Sequence, residues 1–239
     1  MSAALMAVPS SEASPRFQAS VAGIFCLVNM LAFVPRAFVH ARFIVDASTA
    51  ATAADTLAHE PIFRLGFTSD FIAVASCVAV TALFVSLFRP VSRRVSILAA
   101  VFSLTGCAIG ALSWLLLLVP LAALRAARLL PLEPFALLFL ELRSQTANIA
   151  IVCFGFYCLL IGYLIIRSTF LPRALGVLMA IAGLGWLTYL SPSLARDLSP
   201  FNSLISGFVG EGSLALWLLV VGVNVRRWSA AALAVPEEI

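Results

Sequence analysis

Of 239 residues, 62% are apolar and 11% are charged, against roughly 45–50% and about 25% in an ordinary soluble domain. A mean hydropathy of +1.08 leaves too few polar side chains to cover a folded chain in water, which excludes a soluble globule, a disordered chain and a secreted disulfide scaffold. The net charge of +4 comes from 15 basic residues, all arginine, scattered between apolar runs rather than gathered into a stripe that would fit nucleic acid.

Residues 1–16, with Pro9, Ser10, Ser11, Ser14 and Pro15, read as a disordered leader. Six apolar runs follow, at about 17–38, 65–88, 95–119, 144–166, 174–191 and 203–225. A hydrocarbon core of roughly 30 Å takes about 20 helical residues, so these runs are read as spans. The first lacks the basic n-region of a signal peptide and has Arg36 just before the small residues Val39 and Ala41, which argues against cleavage. Ser48 or Thr49 can cap a short outer surface helix over residues 50–59, before Pro61. The second span carries one charge, Asp70, and the third has none between Arg94 and Arg125. Pro120 and Pro192 shorten the third and fifth. Arg143 and Arg167 bracket the fourth, and the sixth carries Glu211 before stopping at Arg226 and Arg227. The expected fold is all-α: a polytopic membrane helical bundle of six transmembrane helices over 17–228, with a flexible C-terminal tail at 229–239.

Six spans put both termini on one side. The short connections around Arg89 to Arg94 and Arg167 to Arg173 are dense in arginine and hold no acid, so the expected orientation has both termini in the cytoplasm.

The polar residues gather toward the opposite side. Counting about 1.5 Å per helical residue from the inner arginines puts Asp70 and Asn148 near 28 Å and Glu211 near 22 Å, the deepest acid. Glu141, Gln145, Asn148, Val152 and Gly155 follow at spacings of four and three, which aligns them on one helix face, expected to point inward. An ionisable side chain at such depth costs a few kcal/mol and turns to a bundle interior or wet cavity. The candidate ligand-binding set is therefore Arg36, Arg64, Asp70, Glu141, Gln145, Asn148 and Glu211, with Asp70 and Glu211 the candidates for acid catalysis. The competing reading is an ion-pair network in which Arg36, Arg64 and Arg143 lock the helices, with Arg36 and Arg64 also suited to anchor at the interface.

Other signals are structural. Cys26, Cys77, Cys107, Cys153 and Cys158 fall inside apolar runs without C-x-x-C spacing and read as small packing residues. Gly106 and Gly110 form a small-xxx-small pair expected to meet another helix closely. The glycines at 207, 210 and 212 follow no strand and are not a dinucleotide fingerprint. His40 and His59, with Asp55 and Glu60, lack a recognised ligand spacing, so no metal and no cofactor are expected.

Three stretches carry a resemblance: Phe63 to Asp70, Gly155 through Tyr163 to Val177, and Phe208 to Trp217. With the Ala-Thr-Ala-Ala run at 51–54, they resemble the bacterial membrane family catalogued as DUF4386, over about residues 17–225. The resemblance implies a multi-pass inner-membrane protein and carries Asp70 and Glu211 across as motif residues, without an activity. Three functions stay open. One is binding or transport of a small amphiphile or anion through an outward-facing polar pocket. Another is a membrane-embedded enzyme using Asp70 or Glu211 as general acid on a lipid-like substrate such as an isoprenoid. The last is a structural subunit. The partner expected in each case is the lipid bilayer, not nucleic acid.

Overall fold

A computed structural model describes residues 14–43, 60–126, 133–191, 193–195, 197–198 and 204–234, and no strand occurs among them. The expected surface helix at 50–59 and nearly all of the leader lie outside the described residues. Helices α1 (Pro15–Phe43), α2 (Glu60–Phe88), α3 (Arg93–Ala126) and α4 (Glu133–Arg167) are each long and apolar enough to cross a membrane, as is α5 (Arg173–Leu187) together with the 3-10 turn Thr188–Leu190 that continues it. A π-helical segment, Leu204–Glu211, then runs into α6 (Gly212–Val220), and α7 (Val225–Leu233) follows.

Side-chain pairings make successive helices antiparallel. Asn29 Nδ2 of α1 donates to Ala73 O of α2 at 2.9 Å, and Thr81 of α2 meets Ser103 of α3 with 2.6 Å between hydroxyls. Gly106 of α3 backs onto Ala150 and Cys153 of α4, while Gly155 and Gly162 of α4 back onto Gly183 and Gly176 of α5. α6 returns against α1, with Gly23 beside Ala215 and Leu219, and Gly212 beside Met30. Arg16, Arg89, Arg93, Arg94, Arg167, Arg173, Arg226 and Arg227 therefore share one end of the bundle, hereafter the arginine end.

Glycine sets the tightest of these crossings. A Cβ on Gly162 would lie 2.8 Å from Gly176 O, and one on Gly176 would lie 2.7 Å from Gly162 O. The same exchange repeats seven residues away, where Cβ atoms on Gly183 and Gly155 would meet each other's carbonyls at 2.8 and 3.1 Å. Backbones this close gain dispersion contact where no hydrophobic force separates helix from lipid. The buried core lies toward the arginine end, around Phe84, Leu87, Phe88, Cys158, Ile161, Leu164, Ile165 and Leu218. Large apolar residues also face outward from the bundle, with Leu31, Phe71 and Val220 all at least 70% exposed, a penalty in water and none in lipid.

Span hydroxyls return to their own helices. Ser69 donates to Leu65 O, Thr81 to Cys77 O, Ser113 to Gly110 O and Thr146 to Leu142 O, at 2.6–2.8 Å, so these donors enter the apolar layer satisfied. All five cysteines are free thiols, and only Cys158 is fully buried.

The close approach expected of the Gly106 face is present but unequal along its length. A Cβ on Gly106 would lie 3.1 Å from Ala150 O, whereas one on Gly110 would stand 3.8 Å from Ala150 Cβ, an ordinary contact. Gly106→Leu is therefore expected to lower the thermal midpoint in detergent by several degrees, on the order of 1–3 kcal/mol of overpacking, and Gly110→Leu to lower it far less. Paired melting curves check this.

The sixth span ends earlier than its apolar run. Ile205–Val220 is bent by 99° against Val225–Leu233, whereas the uninterrupted run of apolar residues points to a single span reaching about Val225. The cause is local. Gly222 takes φ 72°, the left-handed region open to glycine. Asn224 then caps α7, its side chain accepting from Arg227 N. The positions 229–233, read from sequence as tail, belong to this helix. Its arginines are exposed while Trp228, half-buried, donates Nε1 to Leu87 O at 2.8 Å, so α7 lies across the arginine end with its indole tied to the bundle.

Candidate functional site

Glu211 closes the π-helical segment and stands directly before α6. A π-helix reaches back five residues rather than four, so its turn is wide, and such turns are frequent at functional sites. Glycines let this wide turn lie close to its neighbours: a Cβ on Gly210 would collide with Ala182 of α5, and one on Gly212 would lie 3.1 Å from Met30 Cε of α1. Ser213 Oγ donates to Gly210 O at 2.9 Å, serving a carbonyl at the junction of the two helix types.

The half-buried Glu211 carboxylate meets α5 through its last turn, where Trp186 Nε1 donates to Glu211 Oε1 at 2.9 Å. A hydrogen bond to a charged acceptor is about twice as strong as a neutral one. Trp186 in turn leans on aromatic rings: Phe154 edge-on at 6.5 Å between centroids and Tyr189 at 6.2 Å, with Tyr157 5.3 Å from Phe154. Cys26 of α1 and Tyr157 and Cys158 of α4 lie within electrostatic reach of the carboxylate. The acid thus sits where the π-helical turn meets α5, and its tryptophan partner belongs to a cluster of aromatic rings.

Asp70 is placed differently. It is buried on α2 beside the equally buried Ser69. Continuing the α2–α3 register set by Thr81–Ser103 brings Asp70 level with the turn of α3 that holds Trp114. Arg143 of α4, only 4% exposed, sits 5.0 Å over the Trp114 ring, a cation–π contact strengthened by the loss of water.

Two other members of the expected set turn elsewhere. Glu141 and Gln145 are exposed and bond each other, Gln145 Nε2 donating to Glu141 Oε1 at 2.8 Å, while Asn148 is half-buried. The inward stripe read from their spacing is thus corrected at its outer end. At about 100° per residue, burying Arg143 turns positions 141 and 145 away from the interior. The backbones of Arg36 and Arg64 are helical, but their side chains, like that of His40, lie outside the described residues, as does all of His59. Among the described residues no group of three or more His, Cys, Asp or Glu could hold a metal ion.

The arrangement suits recognition of a polar head by one carboxylate within an apolar, aromatic enclosure. Trp186 and Trp114 were not singled out from sequence; the available signal is a tryptophan deep in an apolar run, whose N–H or ring needs a partner once buried.

Comparison with known proteins agrees with this architecture. The family described as Domain of unknown function (DUF4386) matches residues 21–222. An uncharacterized protein of Archaeoglobus fulgidus is 24% identical over 157 residues, covering 64% of this chain and 80% of its own length. No solved structure matches the chain. The chain belongs to the DUF4386 family.

Proposed function

We propose that this DUF4386 protein binds a small amphiphile inside its helical bundle, with Glu211 contacting the polar head and the rings of Phe154, Tyr157, Trp186 and Tyr189 lining the apolar part. The observation that carries this reading is the Trp186–Glu211 hydrogen bond, 2.9 Å long, at the end of a π-helical turn within a span. An intramembrane carboxylate costs several kcal/mol to place in lipid, and its default role is functional. A head group that donates hydrogen bonds fits it. Support for an anion clamp is thinner, since Arg143 already stacks on Trp114.

Transport of that amphiphile across a bacterial cytoplasmic membrane, with both termini in the cytoplasm, extends the same reading. Cysteine placed at Ser92, in the short arginine-rich turn between α2 and α3, is expected to resist an impermeant thiol reagent in intact cells and to react after lysis. Labelling in intact cells reverses the orientation.

Native mass spectrometry of protein released from lipid identifies the bound class, and profiling of a deletion strain separates its use. An altered distribution of the amphiphile supports binding or transport. Altered product structures would instead favour the membrane-embedded enzyme, in which Glu211 donates a proton to a lipid-like substrate. No retained amphiphile and no altered profile would sink both readings in favour of a structural subunit.

A further inference from the structure

A second site lies at the arginine end, remote from Glu211 along the chain of α6. A cavity of about 390 Å³ opens between the α4–α5 turn and the break between α6 and α7, lined by Thr169, Pro172, Trp217, Val221, Asn224 and Arg227 among others. Its lining is graded. Trp217 and Val221 belong to the end of the span, whereas Thr169 and Asn224 belong to connections and Arg227 to the first turn of α7, which mark the membrane surface.

Its walls are fastened by polar contacts. Asn224 N donates to Phe170 O at 3.2 Å, joining the two connections. Arg227 Nη1 donates to Thr169 O at 3.2 Å, which holds the guanidinium over the cavity with further N–H groups in its fork. A second guanidinium arrives from α1: a Cβ on Gly222 would lie 3.4 Å from Arg16 Cγ and 4.0 Å from Arg16 Nε. The left-handed glycine thus turns the chain and leaves room for Arg16 beside Gly222, itself a lining residue of the cavity. Six more arginines share this end, at 89, 93, 94, 167, 173 and 226, and no acid does among the described residues.

From this geometry we infer that the cavity is a site for an anionic phospholipid of the adjoining leaflet, its phosphate between Arg16 and Arg227 and the start of an acyl chain against Trp217 and Val221. A forked guanidinium in the cavity wall and a second beside its Gly222 offer the donors and charge that a phosphate takes. The apolar floor continues that site toward the hydrocarbon, where a soluble phosphate has nothing to contact. The surrounding arginines raise the local concentration of anionic lipid, and Arg16 and Arg227 select it.

The full chain in nanodiscs of phosphatidylcholine mixed with phosphatidylglycerol, followed by release into native mass spectrometry, provides the test. The expected result is retention of phosphatidylglycerol over phosphatidylcholine by about tenfold, lost in the Arg16→Gln/Arg227→Gln double variant and kept in Arg93→Gln, whose arginine is exposed at the start of α3. Melting curves of the same samples show that the variants are folded; Arg16→Gln and Arg227→Gln singly replace the double variant if it is not. Equal retention of the two lipids overturns the proposal, as does an equal loss in Arg93→Gln, which would mark diffuse surface charge. Inorganic phosphate alone reproducing the melting shift given by phosphatidylglycerol overturns the lipid assignment.

Discussion

Gly162→Leu is expected to abolish folded yield, because no nearby rearrangement makes room for even a Cβ. The contacts are backbone atoms, Gly176 O at 2.8 Å and Ala180 N at 3.0 Å, not the far ends of flexible side chains. Relief requires α4 and α5 to separate, and Gly155 and Gly183, one heptad away on the same seam, hold them together. Overpacking of 1–3 kcal/mol is typical where side chains can shift; here the loss should exceed that and approach the whole stability of about 5–15 kcal/mol. Gly155→Ala is the graded control, since its added Cβ would meet Gly183 O at 3.1 Å and otherwise only the Leu187 side chain, also at 3.1 Å. Size-exclusion profiles in detergent should show aggregate for Gly162→Leu and a monodisperse but less thermostable peak for Gly155→Ala. A folded Gly162→Leu protein would mean that the crossing is looser than the distances state.

Trp186 variants should separate the ring from its N–H. Trp186→Ala removes a ring that packs on Phe154 and Tyr189 and leaves a cavity beside an acid, a loss of about 3–5 kcal/mol. Trp186→Phe keeps most of the packing and deletes the donor to Glu211 Oε1, a loss of about 1–3 kcal/mol if the carboxylate finds no replacement. With Glu211→Ala as the second mutation, a double-mutant cycle isolates the bond, because alanine offers the indole no oxygen. Thermal midpoints of the four proteins check the prediction; a coupling near zero would reduce the contact to coincidental proximity.

How far the sequence carries can be argued from particular residues. The spans are legible because arginines bracket apolar runs of about the thickness of a bilayer, as at Arg143 and Arg167 or Arg173 and Arg196. The Gly106 face is legible because spacing alone aligns small residues. Helix rotation is not: Glu141, Gln145 and Asn148 share a face, but which face turns inward is decided by Arg143 on Trp114 and by the glycine seam with α5. The π-helical turn also escapes, since nothing in a run of glycines says that the ladder reaches back five residues. The break at Gly222 lies inside an apolar stretch without proline, and its left-handed φ appears only with the helix across the bundle end. Glu211 itself stands out at once, as the one acid of its span, but its partner Trp186 comes from another helix and from packing.

The central claim is that Glu211 serves a ligand rather than the fold, and Glu211→Gln tests it most directly when affinity and stability are read on the same sample. For the amphiphile that co-purifies with the protein, binding should weaken about tenfold, as expected when a charged acceptor becomes neutral, while the thermal midpoint of ligand-free protein moves by less than about 3 °C. An unchanged affinity together with a collapse of folded yield would contradict the account and make the carboxylate a strut between α1 and α5.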